Sequence, residues 1–203
     1  MDRPRTRAWL VDLDGTLYHA APVKLAMAFE LGLFGARSAR ALRRFRAEHE
    51  RQREREAGAG DPFAAQLAAT AEALELDLPA LRARVQEWMI ERPGKWLRLA
   101  RRRALLAELG AFRAQGGRTA LVSDYPARAK LAALGAVPLF DAVVAAGEPG
   151  GPARLKPAPD GLLAAATLLG VAPAECLVIG DRDDADGEAA RRAGMPFRRV
   201  SGT

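Results

Sequence analysis

Cysteine is almost missing from this chain of 203 residues: Cys176 is the only one. A single thiol cannot close an internal disulfide, which excludes the small secreted scaffolds that disulfides hold together. Aromatic residues are also scarce, at 6% of the sequence, and in the arginine-rich stretch Arg37 to Glu56 only Phe45 could stack on a nucleic-acid base. Apolar runs stay well short of the ~20 residues that a bilayer-spanning helix requires. Met1 to Asp14 carries basic side chains but no long apolar segment, because Asp12 and Asp14 interrupt Ala8 to Leu17. Neither a secretory leader nor a membrane span is expected, and a soluble cytoplasmic protein is.

Hydrophobic residues make up 49% of the chain and charged residues 28%, enough apolar content for a real core and too much for disorder. The length suits one domain, or one domain with an insertion. Lys and Arg number 31 against 25 Asp and Glu, a net charge of +6 that no single tail concentrates. Such a field favours phosphorylated small molecules and nucleic acids alike, and names neither.

Five short apolar runs read as strands: Trp9 to Leu13, Thr119 to Ser123, Asp141 to Ala145, Cys176 to Gly180, and Phe197 to Val200 as an edge strand. Asp14-Gly15 ends the first, Gly147 closes the third, and acidic residues follow the fourth. Between them lie helical stretches over 101 to 115, Ala127 to Leu134, Pro159 to Leu169 and Glu188 to Ala193. Gly135, Gly170 and Gly194 stop the last three. The alternation predicts an α/β fold, a doubly wound parallel sheet covered on both faces.

One stretch breaks the pattern. From Ala20 to Arg92 only helical periodicity is found, over Val23 to Phe34, Ser38 to Glu56, Pro62 to Leu76 and Pro79 to Glu91, with a Gly58 to Pro62 break. The division expected is an α/β core over 1–18 and 95–203 with an α-helical cap inserted over 19–94.

Chemistry-bearing residues collect at strand ends. Asp12-Leu13-Asp14-Gly15-Thr16 places two carboxylates where the first strand opens into a turn, facing the crevice in which α/β sheets bind ligands. Ser123 ends the second strand, where a lone serine often just forms a turn. Lys156, in Leu155-Lys156-Pro157, precedes the helix leading to the fourth strand and alone reads as a loop lysine. Gly180-Asp181-Arg182-Asp183-Asp184-Ala185-Asp186 packs four carboxylates into six residues. Such a cluster repels itself unless a cation or basic partner sits within it, and an oxygen-only donor set suits magnesium.

In combination and order, these four features resemble the haloacid dehalogenase (HAD) superfamily. The match covers Ala8 to Val200, whereas the cap agrees only in position and helical character. By resemblance the chain sits nearest the phosphoglycolate-phosphatase-like group. That likeness implies a Rossmann-like core and a Mg²⁺-dependent phosphatase acting on a small phosphorylated metabolite through an aspartyl phosphate. Asp12 would be the nucleophile. Asp14 would be the acid and then the base, which calls for a raised pKa. Lys156 would neutralise charge, and Ser123 would hold phosphoryl oxygens. Mg²⁺ would be held by Asp12, Asp181, the main-chain carbonyl of Asp14, and Asp186 as an outer ligand, with Asp183 and Asp184 as rivals for that last place. Dehalogenases of the superfamily lack the second acid, so Asp14 points to phosphoryl transfer. A phosphotransferase or sugar-phosphate mutase, or a silent binding protein on the same fold, remains an alternative.

Other residues receive plainer readings. Tyr18 and His19, which follow the first motif, fit packing or solvated roles at least as well as substrate contact, and His49, on a charged helix, is expected to face water. Cys176 reads as a small buried hydrophobe, and Trp88 and Trp96 as packing residues. Arg37 to Glu56 holds eight arginines and four glutamates, with Glu48–Arg51 and Glu50–Arg53 one helical turn apart. A solvated cap helix explains it better than a nucleic-acid surface.

Overall fold

The computed structural model describes residues 6–55 and 60–201; residues 56–59, which include Glu56 and part of the expected Gly58 break, lie outside them. Five strands form one sheet: β1 (Ala8–Val11), β2 (Arg118–Ser123), β3 (Ala142–Ala145), β4 (Cys176–Gly180) and β5 (Phe197–Arg199). Their order is β3-β2-β1-β4-β5 and every pairing is parallel. The chain winds outward from β1 to β3, then crosses back to lay β4 on the other side of β1. A crevice opens at the carboxyl ends where the direction of winding changes, and β1 lies at its centre. Val11 is level with Leu121 of β2 and Ile179 of β4, so Asp12, Ser123 and Asp181 leave the sheet at nearly one height.

Alternation along the strands separates two apolar layers. Leu10, Val122, Val144 and Val178 face α8 (Asp160–Leu169) and α9 (Glu188–Arg192) through Leu162, Ala166 and Ala189. Val11, Leu121, Ala145 and Ile179 face α6 (Arg103–Ala114) and α7 (Arg128–Leu134) through Leu105, Leu109, Leu131 and Leu134. This is the doubly wound arrangement expected from the sequence. Gly135 and Gly170, at φ 66° and 64°, end α7 and α8 in the left-handed conformation that glycine adopts without strain.

The segment over 19–94, expected as an insertion, is built of helices joined by short turns in its described residues. It comprises α1 (Ala20–Phe34), α2 (Ala36–Arg55), α3 (Pro62–Leu74), α4 (Leu78–Val85) and a π-helical turn over Gln86–Glu91 that continues α4. Asp61 and Asp77 accept backbone N–H bonds at the starts of α3 and α4, satisfying donors that a helix start leaves unpaired. Phe45, Leu67, Leu81 and Val85 are fully buried in a separate apolar cluster that also takes in Ala146 and Leu155 from loops beside the sheet. Burial of a side chain such as Phe45 contributes about 1.5–3 kcal/mol.

The chain crosses between sheet and insertion at one place. His19 N–H donates to Ala100 O and Arg102 N–H to Leu17 O, both at 2.8 Å, pairing the outgoing and returning segments beside α5 (Gly94–Ala100). Buried Glu30 ties α1 to α5, accepting from Trp96 Nε1 and Lys95 Nζ at 2.7 Å each.

Candidate active site

Asp12 follows β1 directly, and its two carboxylate oxygens have separate partners. Oδ1 accepts from Lys156 Nζ at 2.6 Å, and Oδ2 accepts from Thr16 Oγ1 at 2.9 Å. The same Lys156 ammonium donates to Asp186 Oδ1 at 2.6 Å and to Val122 O at 3.3 Å. Burial alone would pull Lys156 down, but Asp12 and Asp186 hold it well above the usual lysine range. Burial pushes Asp12 above the ordinary carboxylate range; Lys156 opposes this and Asp186 adds to it.

Asp181 completes the acidic group. One carboxylate oxygen from each of Asp12, Asp181 and Asp186 lies within 4.8 Å of the others. Two glycines make this approach possible. A Cβ on Gly15, whose φ is 97°, would overlap the Asp181 carboxylate, and one on Gly180 would overlap Asp186. Burial, then Asp186, raises the Asp181 pKa. Three clustered carboxylates face one ammonium, an excess of negative charge that a hard divalent cation would offset, and all the donors are oxygens. The residues present therefore fit Mg²⁺.

Among the rival acids, geometry separates the three. Asp186 is 2% exposed and turned into the group, where its Oδ2 also accepts from Arg182 N–H at 3.2 Å. Asp183 is paired with Arg191 and Asp184 with Arg182, both on the outside.

Asp14 occupies a different environment from its neighbour. Lys130 Nζ, from α7, reaches both of its carboxylate oxygens at 2.7 Å, and Tyr18 Oη donates to Oδ1 at 2.5 Å. Burial pushes this carboxyl up, but Lys130 and the Tyr18 hydrogen bond outweigh it and bring the pKa below the ordinary value. The expected upward shift is thus reversed in this arrangement. The reason is a lysine 116 residues away in sequence.

Ser123 is buried at the end of β2, with Oγ accepting from Tyr125 N–H at 3.2 Å. Next to it, Asp124 accepts from Lys156 N–H at 3.1 Å and from Arg53 Nη2 of α2 at 2.6 Å. Arg53 also lies 3.5 Å from Glu50, which in turn pairs with Arg182. The insertion is thereby joined by charge both to the β2 loop and to the acidic loop after β4.

Two plain readings need correcting. His49 does not face water: it is 2% exposed, stacks on Tyr125 at 4.3 Å, and sets Nδ1 3.2 Å from Gln66 Oε1. Burial lowers its pKa, with Asp124 acting the other way. Tyr18 is not merely packed, since it bonds to Asp14. The expected Glu48–Arg51 and Glu50–Arg53 pairs are present at 3.4 and 3.5 Å, yet Glu48, His49 and Arg53 give α2 a buried polar side as well. Cys176 is buried, and burial pushes its thiol up to about 11, which leaves it neutral.

Sequence reasoning passed over Lys130, Asp124 and Arg53. Adjacency to Ser123 was a usable signal for Asp124. Arg53 sits on a helix rich in charge and Lys130 on a short helix beside Arg128, and nothing local distinguishes them.

Asp12, Asp14, Ser123, Lys156, Asp181 and Asp186 all line one cavity of about 430 Å³. A family model for haloacid dehalogenase-like hydrolases matches residues 6–194. Among solved structures, an L-2-haloacid dehalogenase from Xanthobacter autotrophicus with covalently bound chloropropionic acid is similar at a TM-score of 0.65 and 22% identity, covering 96% of this chain and 77% of that one. A HAD phosphatase from Thermococcus onnurineus matches at 0.62 and 21%, covering 97% and 86%. A provisionally assigned phosphoglycolate phosphatase from Lactobacillus delbrueckii subsp. bulgaricus matches at 0.57 and 22%, covering 97% and 89%. Among curated proteins no relative matches this sequence.

Proposed function

The chain belongs to the haloacid dehalogenase-like hydrolase family, and on that footing we propose that it is a Mg²⁺-dependent phosphatase hydrolysing a small organic phosphate monoester through an aspartyl phosphate. Residues 19–94 act as the cap in this reading. The substrate is a small phosphorylated metabolite, and the working compartment is the cytoplasm, where a lone buried Cys176 would stay reduced.

The observation that carries the reading is the second carboxylate, Asp14, beside Asp12 in the same cavity. A halide departs without a proton, whereas an alkoxide leaving from phosphorus needs one. Asp12 attacks phosphorus, a P–O bond forms to its carboxylate oxygen, and the ester P–O bond breaks. Asp14 gives its proton to the departing oxygen. Water then attacks the aspartyl phosphate, Asp14 takes the proton, and inorganic phosphate leaves with Asp12 regenerated. The Lys130 contact favours the ionised Asp14 that the second step uses. Before the first step that contact must loosen for the carboxyl to carry a proton.

Lys156 holds the Asp12 carboxylate in place and balances charge on the transferring group. Ser123 Oγ and nearby backbone N–H groups are disposed to take phosphoryl oxygens. Asp12, Asp181 and Asp186 would hold Mg²⁺, whose chemistry there is to offset charge between carboxylate and phosphoryl oxygens.

The test is phosphate release from a panel of phosphate monoesters, with and without EDTA, on wild type and Asp12→Asn. Metal-dependent release that Asp12→Asn abolishes supports the proposal. Halide release from 2-chloropropionate without phosphatase activity overturns it, as does isomerised hexose phosphate with no net phosphate release.

A further inference from the structure

The cavity over Asp12 has two chemically different ends. At the sheet end stand the carboxylates, Ser123 and Lys156. At the other, Met27 and Leu31 of α1, Leu42 of α2, and Trp88 and Met89 of the π-helical turn form a wall of alkyl, thioether and indole groups. Exposed Lys24, Arg46 and Glu50 also line the space and so lie at its mouth; Glu50 is paired with Arg182, and the two cations draw in an anion.

The apolar wall is built rather than incidental. Trp88 is 5% exposed and its ring lies against the backbone of Gly35, where a Cβ would overlap it. Over the ring, at 4.2 Å from its centroid, stands the guanidinium of Arg92. Arg92 is itself held by Glu87 at 2.7 Å and by Glu30 at 3.6 Å. The indole thus cannot turn aside to close the cavity. Widening of the helix to π geometry over Gln86–Glu91 sets Trp88 and Met89 on this wall, a distortion that helices frequently carry at functional sites.

We propose that the body of the substrate is apolar: a phosphate monoester of an alkyl or aryl alcohol, with its phosphoryl group at Asp12 and its hydrocarbon part against Met27, Leu31, Leu42, Trp88 and Met89. The inference rests on the phosphatase reading above. A cavity of about 430 Å³ holds a phosphoryl group and a body of roughly ten non-hydrogen atoms, at ~30 Å³ for each water-sized unit. His49, Glu50 and Arg53 line the cavity as well, but hydroxyl groups of a sugar or polyol set against the five wall side chains would lose water and find only the Trp88 indole N–H in return. Each methylene, by contrast, is worth about a fourfold gain when it leaves water.

The experiment measures kcat/KM of the full chain with Mg²⁺ on n-alkyl phosphates from methyl to octyl, phenyl phosphate, glycerol phosphate and glucose 6-phosphate. Affinities for the matching alkylphosphonates, which bear the charge but have no ester bond, are measured by calorimetry. Both ladders are expected to climb about fourfold per methylene until the cavity is full, with phenyl phosphate at least 30-fold better than glucose 6-phosphate. Met27→Gln and Met89→Gln, at partly exposed positions that tolerate the change, should flatten both ladders. Turnover with a flat ladder, or preference for the polyol esters, overturns the apolar-body inference and leaves the phosphatase standing. A phosphonate ladder without turnover of any ester overturns the phosphatase and leaves the apolar seat. Unchanged ladders in both methionine variants also count against the seat.

Discussion

Lys130 Nζ lies 2.7 Å from both carboxylate oxygens of Asp14, joining a residue of α7 to one that follows β1. Each is nearly useless without the other: Lys130 is buried to 5% exposure, and Asp14 would otherwise be a partly buried acid with a raised pKa. The pair sets the protonation state of the only carboxylate that distinguishes ester hydrolysis from halide displacement in the proposed reaction.

Substitution Lys130→Met should therefore raise the Asp14 pKa and, because Asp14 must carry a proton in the first step, shift the alkaline limb of the kcat/KM profile to higher pH. Asp14→Asn should remove that limb and cost about 10²–10⁴-fold in rate. A pH-rate series on both variants checks this. An unmoved limb in Lys130→Met would assign the ionisation to another group.

Mg²⁺ should raise the melting temperature of the wild type, because a ligand that binds only the native state stabilises it by mass action, about 2.7 kcal/mol at a hundred times its Kd. Asp181→Asn and Asp186→Asn should each shrink the shift. Calcium-free thermal scans over a magnesium titration read the effect directly. Equal shifts in all three proteins would place the ion elsewhere.

Removal of Arg53 should destabilise the protein and not merely alter its surface. Asp124 and Arg53 side chains are 6% and 13% exposed, so Arg53→Met leaves a buried carboxylate short of its cation, at a cost of about 3 kcal/mol. Asp124→Asn in the same chain should restore part of that loss. Urea unfolding of the two single variants and the double variant gives the coupling energy.

His49 predicts an acid-sensitive step in stability. Burial lowers its folded pKa, so the unfolded chain binds a proton first as pH falls. Stability attributable to this group is complete above ~6.5, the unfolded value, and declines as pH drops through the folded one. Urea titrations from pH 8 to pH 5 should show the decline, and His49→Phe, which retains a ring against Tyr125, should flatten it.

Strand ends were legible in the sequence because the signals are local. Short apolar runs ended by Asp14-Gly15, Ser123 or Gly180 appear as strands within a residue or two of the expected limits. Helix stops at Gly135 and Gly170 were equally plain. Asp12, Ser123, Lys156 and the acidic loop could be picked out because each sits at or just beyond a strand end or its following loop. His49 was misread for the opposite reason. Its neighbours Glu48, Glu50 and Arg51 are charged, whereas its burial is decided by Tyr125 and Gln66 on other elements.

By itself the sequence determined the α/β alternation, the helical stretch between the first two strands, and the acids that gather at the crevice, since each depends on periodicity or on residues adjacent in the chain. Only the tertiary structure decided that Asp186 rather than Asp183 or Asp184 turns inward, that Lys130 holds Asp14 ionised, and that α2 grips Asp124 through Arg53. Charge interactions act through space and fall off with distance, so their partners are chosen by the fold and carry no mark in the chain order.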